Sequence, residues 1–425
     1  MLETLKVLVT GEEGFDPLDG TANHVVRRHW ANQFDAAGIL TLAPLEPKLA
    51  KAYAELADGL LLPDGAPLHR ARFGGYYTNS QDLLAVSGRR DELEFALLEQ
   101  FLAQGKPVLG LGRGASVLDA ASSARNSQPF FTAATEEGRE AQARFDDFIR
   151  AVRDHSHTRT EISSQTVTTS SSVGTSIGNT ASHNIAGSRH LPRVLLAGAP
   201  AYDRLGRKPA VLINHTYVAA LTQAGGLPLL AFPLIEQADA YAAAADALLL
   251  TGTAMFAPSL DMLPQLLAEE DPLRNRFDET IYRAFKQAGK PILGICLGHQ
   301  VINRYEGGSL RHDFKLRDGV EHMGTAHTVS VEAGSILHQL FGEELRVNSR
   351  HNDRVDHIAP TLRPSAFSPD GVVEALEHRH LPILTVQWHP ERSRGDQPEP
   401  FDATDPAPLF RHFVNCAISH STFHS

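Results

Sequence analysis

Two doubly wound α/β domains in tandem, each built on a parallel sheet and the first of them truncated and degenerate, are what this chain of 425 residues predicts. Three observations carry that prediction. Short apolar runs of strand character alternate with stretches of helical periodicity, the pattern of βαβ units. The pattern occurs twice, since Lys106-Pro-Val-Leu-Gly-Leu-Gly112-Arg-Gly114 aligns with Lys290-Pro-Ile-Leu-Gly-Ile-Cys296-Leu-Gly298 at an offset of 184. The length also exceeds what one ordinary core organises, so two domains are expected.

Each copy reads in the same order. Val7-Leu-Val-Thr-Gly11 matches Val194-Leu-Leu-Ala-Gly198 as a first strand, and helices are expected over 26–37 and 214–224. Ala37-Gly38 and Ala224-Gly225 each precede a second apolar strand. Ala57-Asp-Gly-Leu-Leu-Leu62 matches Ala245-Asp-Ala-Leu-Leu-Leu250, giving strands at 58–62 and 246–250, then helices near 90–104 and 275–288. The first copy is expected to stop after a helix at 115–121. Residues 136–153 read as an amphipathic helix with Phe145, Phe148, Ile149 and Val152 on one face. The Ser/Thr-rich stretch that follows lacks apolar periodicity and reads as a flexible linker. The expected organisation is therefore a degenerate domain over 1–135, a connecting helix over 136–155, a linker over 156–190 and a second domain over 191–425. Beyond the second elbow come an alternating strand from Thr325, a short helix at 336–341, and Arg346-Val-Asn-Ser349 leading into a loop that holds His351. Closing strands over 361–368, 371–376 and 381–388, a Pro-rich loop and a terminal helix at 409–418 complete the chain.

Composition narrows the function. With 42% hydrophobic and 21% charged residues the chain is of ordinary globular type. A formal charge of −11 argues against nucleic acid or an anionic membrane surface as partner. No run reaches the roughly 18 apolar residues a membrane span needs. The N-terminal stretch has no basic region of the signal-peptide kind. Cys296 and Cys416 are the only cysteines, too few for a disulfide framework or a Cys-based zinc site, and a reducing cytoplasm is expected. The 21 histidines are scattered, and no His-x-x-x-His pair has a carboxylate beside it, so neither a metal nor a cofactor is expected.

Ile292 to Ile295 reads as a buried strand, and Gly298, Val301, Ile302 and Tyr305 as the helix after it. Cys296 falls on the bend, between small residues at Gly294 and Gly298. Such an elbow presents one side chain at a cleft, where the N–H groups opening the helix favour a thiolate. A buried core cysteine is the competing reading of that stretch alone. A second stretch shifts the balance: 93 residues on, the apolar run Ile383–Trp388 enters His389-Pro390-Glu391. A histidine at a strand end with a carboxylate two residues beyond supplies a base and the group that orients it. Gln300, one turn into the elbow helix, reads either as lining a substrate pocket or as a residue of the helix surface; His299 and His312 read as structural.

Gly294-Ile-Cys-Leu-Gly-His-Gln300 and Val386-Gln-Trp-His-Pro-Glu391 resemble the signatures of class I glutamine amidotransferase domains. Val347-Asn-Ser-Arg-His351, Ser368-Pro-Asp-Gly-Val-Val-Glu-Ala375 and Gly307-Gly-Ser-Leu310 resemble the gamma-glutamyl-gamma-aminobutyrate hydrolase branch, over roughly 192–415. The resemblance implies a flavodoxin-like fold in each copy, Cys296 as nucleophile, His389 as base, Glu391 as its orienting acid, and a small γ-glutamyl compound as substrate. It implies an oxyanion hole from Gly252 or Thr253 and from the N–H of Leu297, although relatives carry a second glycine where Thr253 stands. It also implies substrate contacts in the loop of Ser349 and His351, where Asn352 and Asp353 replace the usual His and Gln.

The first copy has Gly112 where the second has Cys296 and carries no His-Pro-Glu, so it is read as silent. Its Arg90, Asp91, Glu94 and Arg113 resemble the family's usual residues, as decay of an active copy would leave. Packing of the two copies as an intrachain pseudo-dimer is expected, with further oligomerisation open. Three functions compete: a stand-alone hydrolase of γ-glutamyl amides, a glutaminase feeding ammonia to a synthetase in trans, and a non-catalytic binding protein.

Overall fold

The parallel strands of this chain are apolar along their whole length rather than alternating, which is the mark of a sheet covered on both faces. In the computed structural model, which describes residues 4–15, 22–65, 88–122, 130–133, 138–169, 190–201, 210–252, 272–312, 321–393 and 402–424, they form as expected. The first copy runs β1 (Lys6–Val9), β2 (Glu12–Phe15), β3 (Ala22–Arg27), α1 (His29–Ala36), β4 (Leu40–Pro44), α2 (Ala50–Leu56), β5 (Gly59–Leu62), α3 (Gly88–Ala103), β6 (Val108–Leu111), α4 (Arg113–Ser122), β7 (Phe130–Ala133) and α5 (Arg139–Thr169). The second runs β8 (Arg193–Ala197), β9 (Ala199–Ala201), β10 (Ala210–Asn214), α6 (His215–Gln223), β11 (Leu227–Ala231), α7 (Ala238–Ala244), β12 (Ala247–Leu250), α8 (Pro272–Gln287), β13 (Ile292–Ile295) and α9 (Leu297–Tyr305). It continues through β14 (Ser309–Arg311), β15 (Met323–Val331), α10 (Ile336–Phe341), β16 (Glu344–Arg350), β17 (Arg354–His357), β18 (Leu362–Phe367), β19 (Val373–His378), β20 (Ile383–Val386) and α11 (Ala407–His424).

Two compact units result. One holds residues 1–10, 37–39 and 47–191; the other holds 11–36, 40–46 and 192–425. In the first, β1, β5, β6 and β7 pair in parallel in that order. In the second, β11, β8, β12, β13 and β20 are parallel neighbours. β19, β18, β15 and β16 extend that sheet antiparallel beyond β20. The units do not follow the copies. Within the second unit β4 pairs antiparallel with its equivalent β11, and β3 with its equivalent β10.

The repeat extends to details that sequence alignment leaves unread. Lys106 donates from Nζ to the carbonyls of Ala54 and Ala57 at the end of α2, and Lys290 does the same to Ala242 and Ala245 at the end of α7. A cation there satisfies carbonyls that the helix leaves open. Asp58 accepts from the Lys6 N–H at 2.9 Å, as Asp246 does from the Arg193 N–H at 2.8 Å.

Three expectations are corrected. The first copy does not stop after α4: β7 lies parallel to β6, and the Gly112 N–H donates to Ala133 O at 2.9 Å just as Cys296 N–H donates to Val386 O at 2.8 Å. β7 is therefore the counterpart of β20, only four residues long and without an apolar run on either side to announce it. The linker expected from residue 156 is helix as far as Thr169, because α5 contains no Gly or Pro and each added residue gains a hydrogen bond once the helix is nucleated. The rest of that stretch, 170–189, lies outside the described residues. The helix expected from 26 begins at His29, after β3, while the one expected from 214 begins at His215; β3 and β10, the strands before them, belong to a four-stranded antiparallel sheet β2-β3-β10-β9. Asn214 ends β10 and caps α6, its Oδ1 accepting from Thr216 N–H at 2.9 Å, a polar stop that reads equally well as the first turn of a helix. No described helix is long and apolar enough to cross a membrane.

Candidate active site

The elbow is made by two glycines. A Cβ on Gly294 would sit 2.8 Å from the carbonyl carbon and oxygen of Gly298, and one on Gly298 would overlap the Leu250 carbonyl. α9 therefore presses on β12 and β13 more closely than any side chain permits, and the residue between must turn sharply. Cys296 takes φ 52 and ψ −101, and among the described residues it is the single non-glycine with positive φ. Strain of about 1–3 kcal/mol at such a position persists only where the surroundings enforce it. The sulfur lies 4.0 Å from the carbonyl oxygen of Arg350, and Cys296 is 8% exposed.

β20 is the parallel neighbour of β13, with Ile295 opposite Val386, so the chain leaves both strands at the same edge. Three residues beyond Val386, His389 is buried; its Nδ1 lies 2.7 Å from Glu391 Oε1, and the ring is close enough to Cys296 for the sulfur to act on its charge. Burial alone would lower the ring's pKa, but the Glu391 charge, the Cys296 sulfur and the hydrogen bond to Glu391 outweigh it and raise it to about 10. Asn348 pins the backbone of His389 on both sides, donating from Nδ2 to its carbonyl at 2.9 Å and accepting from its N–H at 3.0 Å. The structure thus brings Cys296, His389 and Glu391 together, and adds Asn348 as the holder of the imidazole.

The remaining sites fall out differently. A Cβ built on Gly252 would lie 2.7 Å from His389 Cε1 and 3.3 Å from Cys296 Cβ, so the loop after β12 faces the sulfur and the imidazole. Its N–H, however, donates to the Tyr217 hydroxyl at 3.0 Å. Burial first, then the Glu391 charge, hold that phenol well above its usual range, so it stays neutral. Tyr217, in the first turn of α6, had no sequence signal. Thr253 lies outside the described residues, and Leu297 supplies the first N–H of α9. Gln300 is 6% exposed and donates to Asp353 O at 3.1 Å and Gln387 Oε1 at 3.2 Å, tying α9 to the loop after β16 and the end of β20. Ser349 is fully buried against His322, and His351 faces Glu374. His299 is buried with Nδ1 2.8 Å from Thr385 Oγ1, and burial lowers its pKa to about 3. His312 is exposed beside Asp353.

The first copy keeps the elbow and fills it from the other wall. Gly112 has the same φ of 52 as Cys296, and Gly110 and Gly114 are as tightly enclosed as Gly294 and Gly298. Asp64 stands where the second copy has Gly252. A Cβ on Gly112 would overlap its carboxylate, which accepts the Arg113 N–H at 2.7 Å, the counterpart of Leu297 N–H. Arg113 itself is buried between Asp91 and Glu94, while Arg90 binds Glu94 at 2.9 Å and Pro63 O at 2.7 Å. In the second copy Arg274 repeats that role, binding Asp278 at 2.9 Å and Thr251 O at 3.0 Å.

Two outcomes follow from this geometry. Gly112→Cys is expected to cost at least about 1–3 kcal/mol by overpacking, and Asp64→Gly to recover most of it, so a double-mutant cycle in urea reads a coupling of roughly 1 kcal/mol or more. The His389 ring holds its proton more tightly folded than unfolded, so its stabilisation is complete below about pH 6.5 and is lost as pH rises through about 10. Urea midpoints measured from pH 6 to 10 should therefore fall from about pH 6.5 upward, and in Glu391→Gln, where the folded ring loses a group that raises its pKa, the fall should be smaller and level off at lower pH.

Comparison with known proteins shows what the chain is similar to. A family model described as Peptidase C26 matches residues 10–182 and again residues 201–391. Protein NtpR of Enterococcus hirae is 33% identical over 241 residues, covering 53% of this chain and 98% of that protein. The gamma-glutamyl-gamma-aminobutyrate hydrolase PuuD of Escherichia coli K12 is 33% identical over 216 residues, covering 44% of this chain and 82% of that protein. A crystal structure of a glutamine amidotransferase from Thermotoga maritima covers 56% of this chain and 100% of its own, at 15% identity and a TM-score of 0.36. Matched once in each copy and over most of its length, the chain belongs to the Peptidase C26 family.

Proposed function

We propose that the second copy hydrolyses the amide bond of a γ-glutamyl compound through a thioester on Cys296. The observation that carries this reading is the buried imidazole of His389, held by Glu391 at 2.7 Å and facing, with Cys296, the same bare Gly252. The sulfur attacks the γ-carbonyl carbon, and the oxyanion is met by Leu297 N–H and by the turn after β12, where Gly252 N–H exchanges the Tyr217 hydroxyl for the substrate oxygen. As the C–N bond breaks, His389 gives its proton to the leaving amine. Water then adds to the thioester, its proton passes to His389, and the C–S bond breaks to release the γ-carboxylate and return the proton to the sulfur–imidazole pair. Glu391 holds Nδ1 protonated, so that Nε2 is the nitrogen that works. The first copy has no sulfur at its elbow and takes no part in the chemistry. The hydrolase at 33% identity is what favours γ-glutamyl amines over free glutamine as substrate.

Release of amine from a panel of γ-glutamyl amines, with glutamine alongside, tests the reading. Turnover of γ-glutamyl amines without any added protein is expected, abolished by Cys296→Ala and lowered at least about 10³-fold in kcat by His389→Asn. Glu391→Gln should lower kcat by a factor on the order of 10²–10⁴ through loss of the useful tautomer. Undiminished turnover in Cys296→Ala, or hydrolysis of glutamine alone, contradicts it.

A further inference from the structure

Beside the elbow lies a second constellation that the proposed hydrolysis does not use. His322 stands just before β15, His351 just after β16, and Glu374 within β19. All three are buried, at 2%, 3% and 0% exposure, and one ligand atom from each lies within 4.8 Å of the others. No short motif brings them together. The ends of β15 and β16 are neighbours in an antiparallel ladder, where His351 N–H donates to His322 O at 3.0 Å, and Glu374 reaches in from two strands away.

The two contacts to Glu374 are spaced as co-ligands rather than as good hydrogen bonds. His322 Nδ1 is 3.4 Å and His351 Nε2 3.6 Å from Glu374 Oε1. An imidazolium–carboxylate contact closes to about 2.7–2.9 Å. Ligand atoms at the corners of a tetrahedron with arms of 2.0–2.1 Å are instead about 3.3 Å apart. The outer contacts fit the same reading. Nδ1 of His351 lies 3.0 Å from the carbonyl oxygen of Asp353, which only accepts, so Nδ1 carries the hydrogen. In the neutral ring Nε2 then turns a lone pair toward Glu374. Nε2 of His322 lies 3.2 Å from Asp370 Oδ2, and its Nδ1 is shared between Ser349 Oγ at 3.2 Å and Glu374 Oε1 at 3.4 Å. A carbonyl or carboxylate behind each imidazole is the outer support that metal-binding histidines have. With both rings neutral, imidazole nitrogens and a carboxylate face one another, an arrangement that a cation among them would satisfy. Glu374 Oε2 is buried with no hydrogen-bond partner, while His327 donates to Oε1 at 3.2 Å and steadies the carboxylate from outside the trio.

We propose that His322, His351 and Glu374 bind a divalent transition-metal ion of the zinc class, with the fourth position left to water. Two imidazoles and a carboxylate are donors suited to that class, and three protein ligands leave one position open. The ion ties the ends of β15 and β16 to β19. That places it one residue from Arg350, whose carbonyl approaches the Cys296 sulfur.

The test uses the full chain carrying Cys296→Ala, so that the sulfur–imidazole pair offers no competing site. After exposure to zinc chloride and exhaustive dialysis, one zinc ion per chain is expected by elemental analysis. Adding His351→Ala should remove it, with affinity falling more than the roughly 10–100-fold expected for Asp370→Asn, which disturbs only an outer support. Cobalt chloride supplies a readout that needs no cluster variant: Cys296→Ala protein should develop the visible absorption of cobalt bound to nitrogen and oxygen in low coordination. A chain that retains no zinc, zinc retention unchanged by His351→Ala, or cobalt that keeps the spectrum of its aqueous ion overturns the proposal.

Discussion

A helix packed against two strands at a distance that only glycine allows is the constraint from which the rest of the site follows. Gly294 and Gly298 leave no room for a side chain, and the residue between them must turn through φ 52. That turn takes Cys296 off the end of a wholly buried strand and sets its sulfur at the sheet edge, under the first N–H groups of α9. The parallel pairing of β13 with β20 brings His389 out at the same edge, and Asn348 and Glu391 then fix the imidazole by backbone and ring. Each element is an ordinary consequence of its sequence. Their coincidence at one edge is a consequence of strand order.

The two copies show which part of that arrangement is architecture and which is chemistry. Both retain the enclosing glycines, the positive φ, the lysine that closes a helix end and the aspartate that anchors the first strand. What differs is the wall from which the space above the elbow is filled. In the second copy Gly252 is bare and Cys296 projects; in the first Gly112 is bare and Asp64 projects, its carboxylate taking the Arg113 N–H, the counterpart of the Leu297 N–H. The enclosing glycines are needed in both copies because the helix packs too closely on the strands for any side chain. A negative charge now stands where the first copy would have to gather one during a reaction.

How far the sequence was legible depends on the range of the interaction. The tandem repeat, the elbow, the parallel strands and the strand-His-Pro-Glu run are written in local apolar patterning, and the structure brings Cys296, His389 and Glu391 together where that patterning places them. β7 was missed because four residues between polar stretches carry no periodicity. The end of α5 was missed because polar composition resembles a linker, although no residue in it breaks a helix. Tyr217 on Gly252, Asn348 around His389 and the gathering of His322, His351 and Glu374 depend on side chains converging from separate elements. Their spacing along the chain, 28 and 22 intervening residues for the last three, follows the lengths of strands and turns and imitates no motif.

The coupling of the Cys296 sulfur to the His389 ring is tested most directly by competitive alkylation. Iodoacetamide at neutral pH, with each cysteine followed by peptide mass spectrometry, compares Cys296 with Cys416, the more exposed of the two, whose thiol burial holds above its usual pKa. The account predicts that the less accessible Cys296 reacts much the faster, and that His389→Ala removes most of the difference while Cys416 is unchanged. Equal rates at the two cysteines, or a Cys296 rate indifferent to His389, would contradict it.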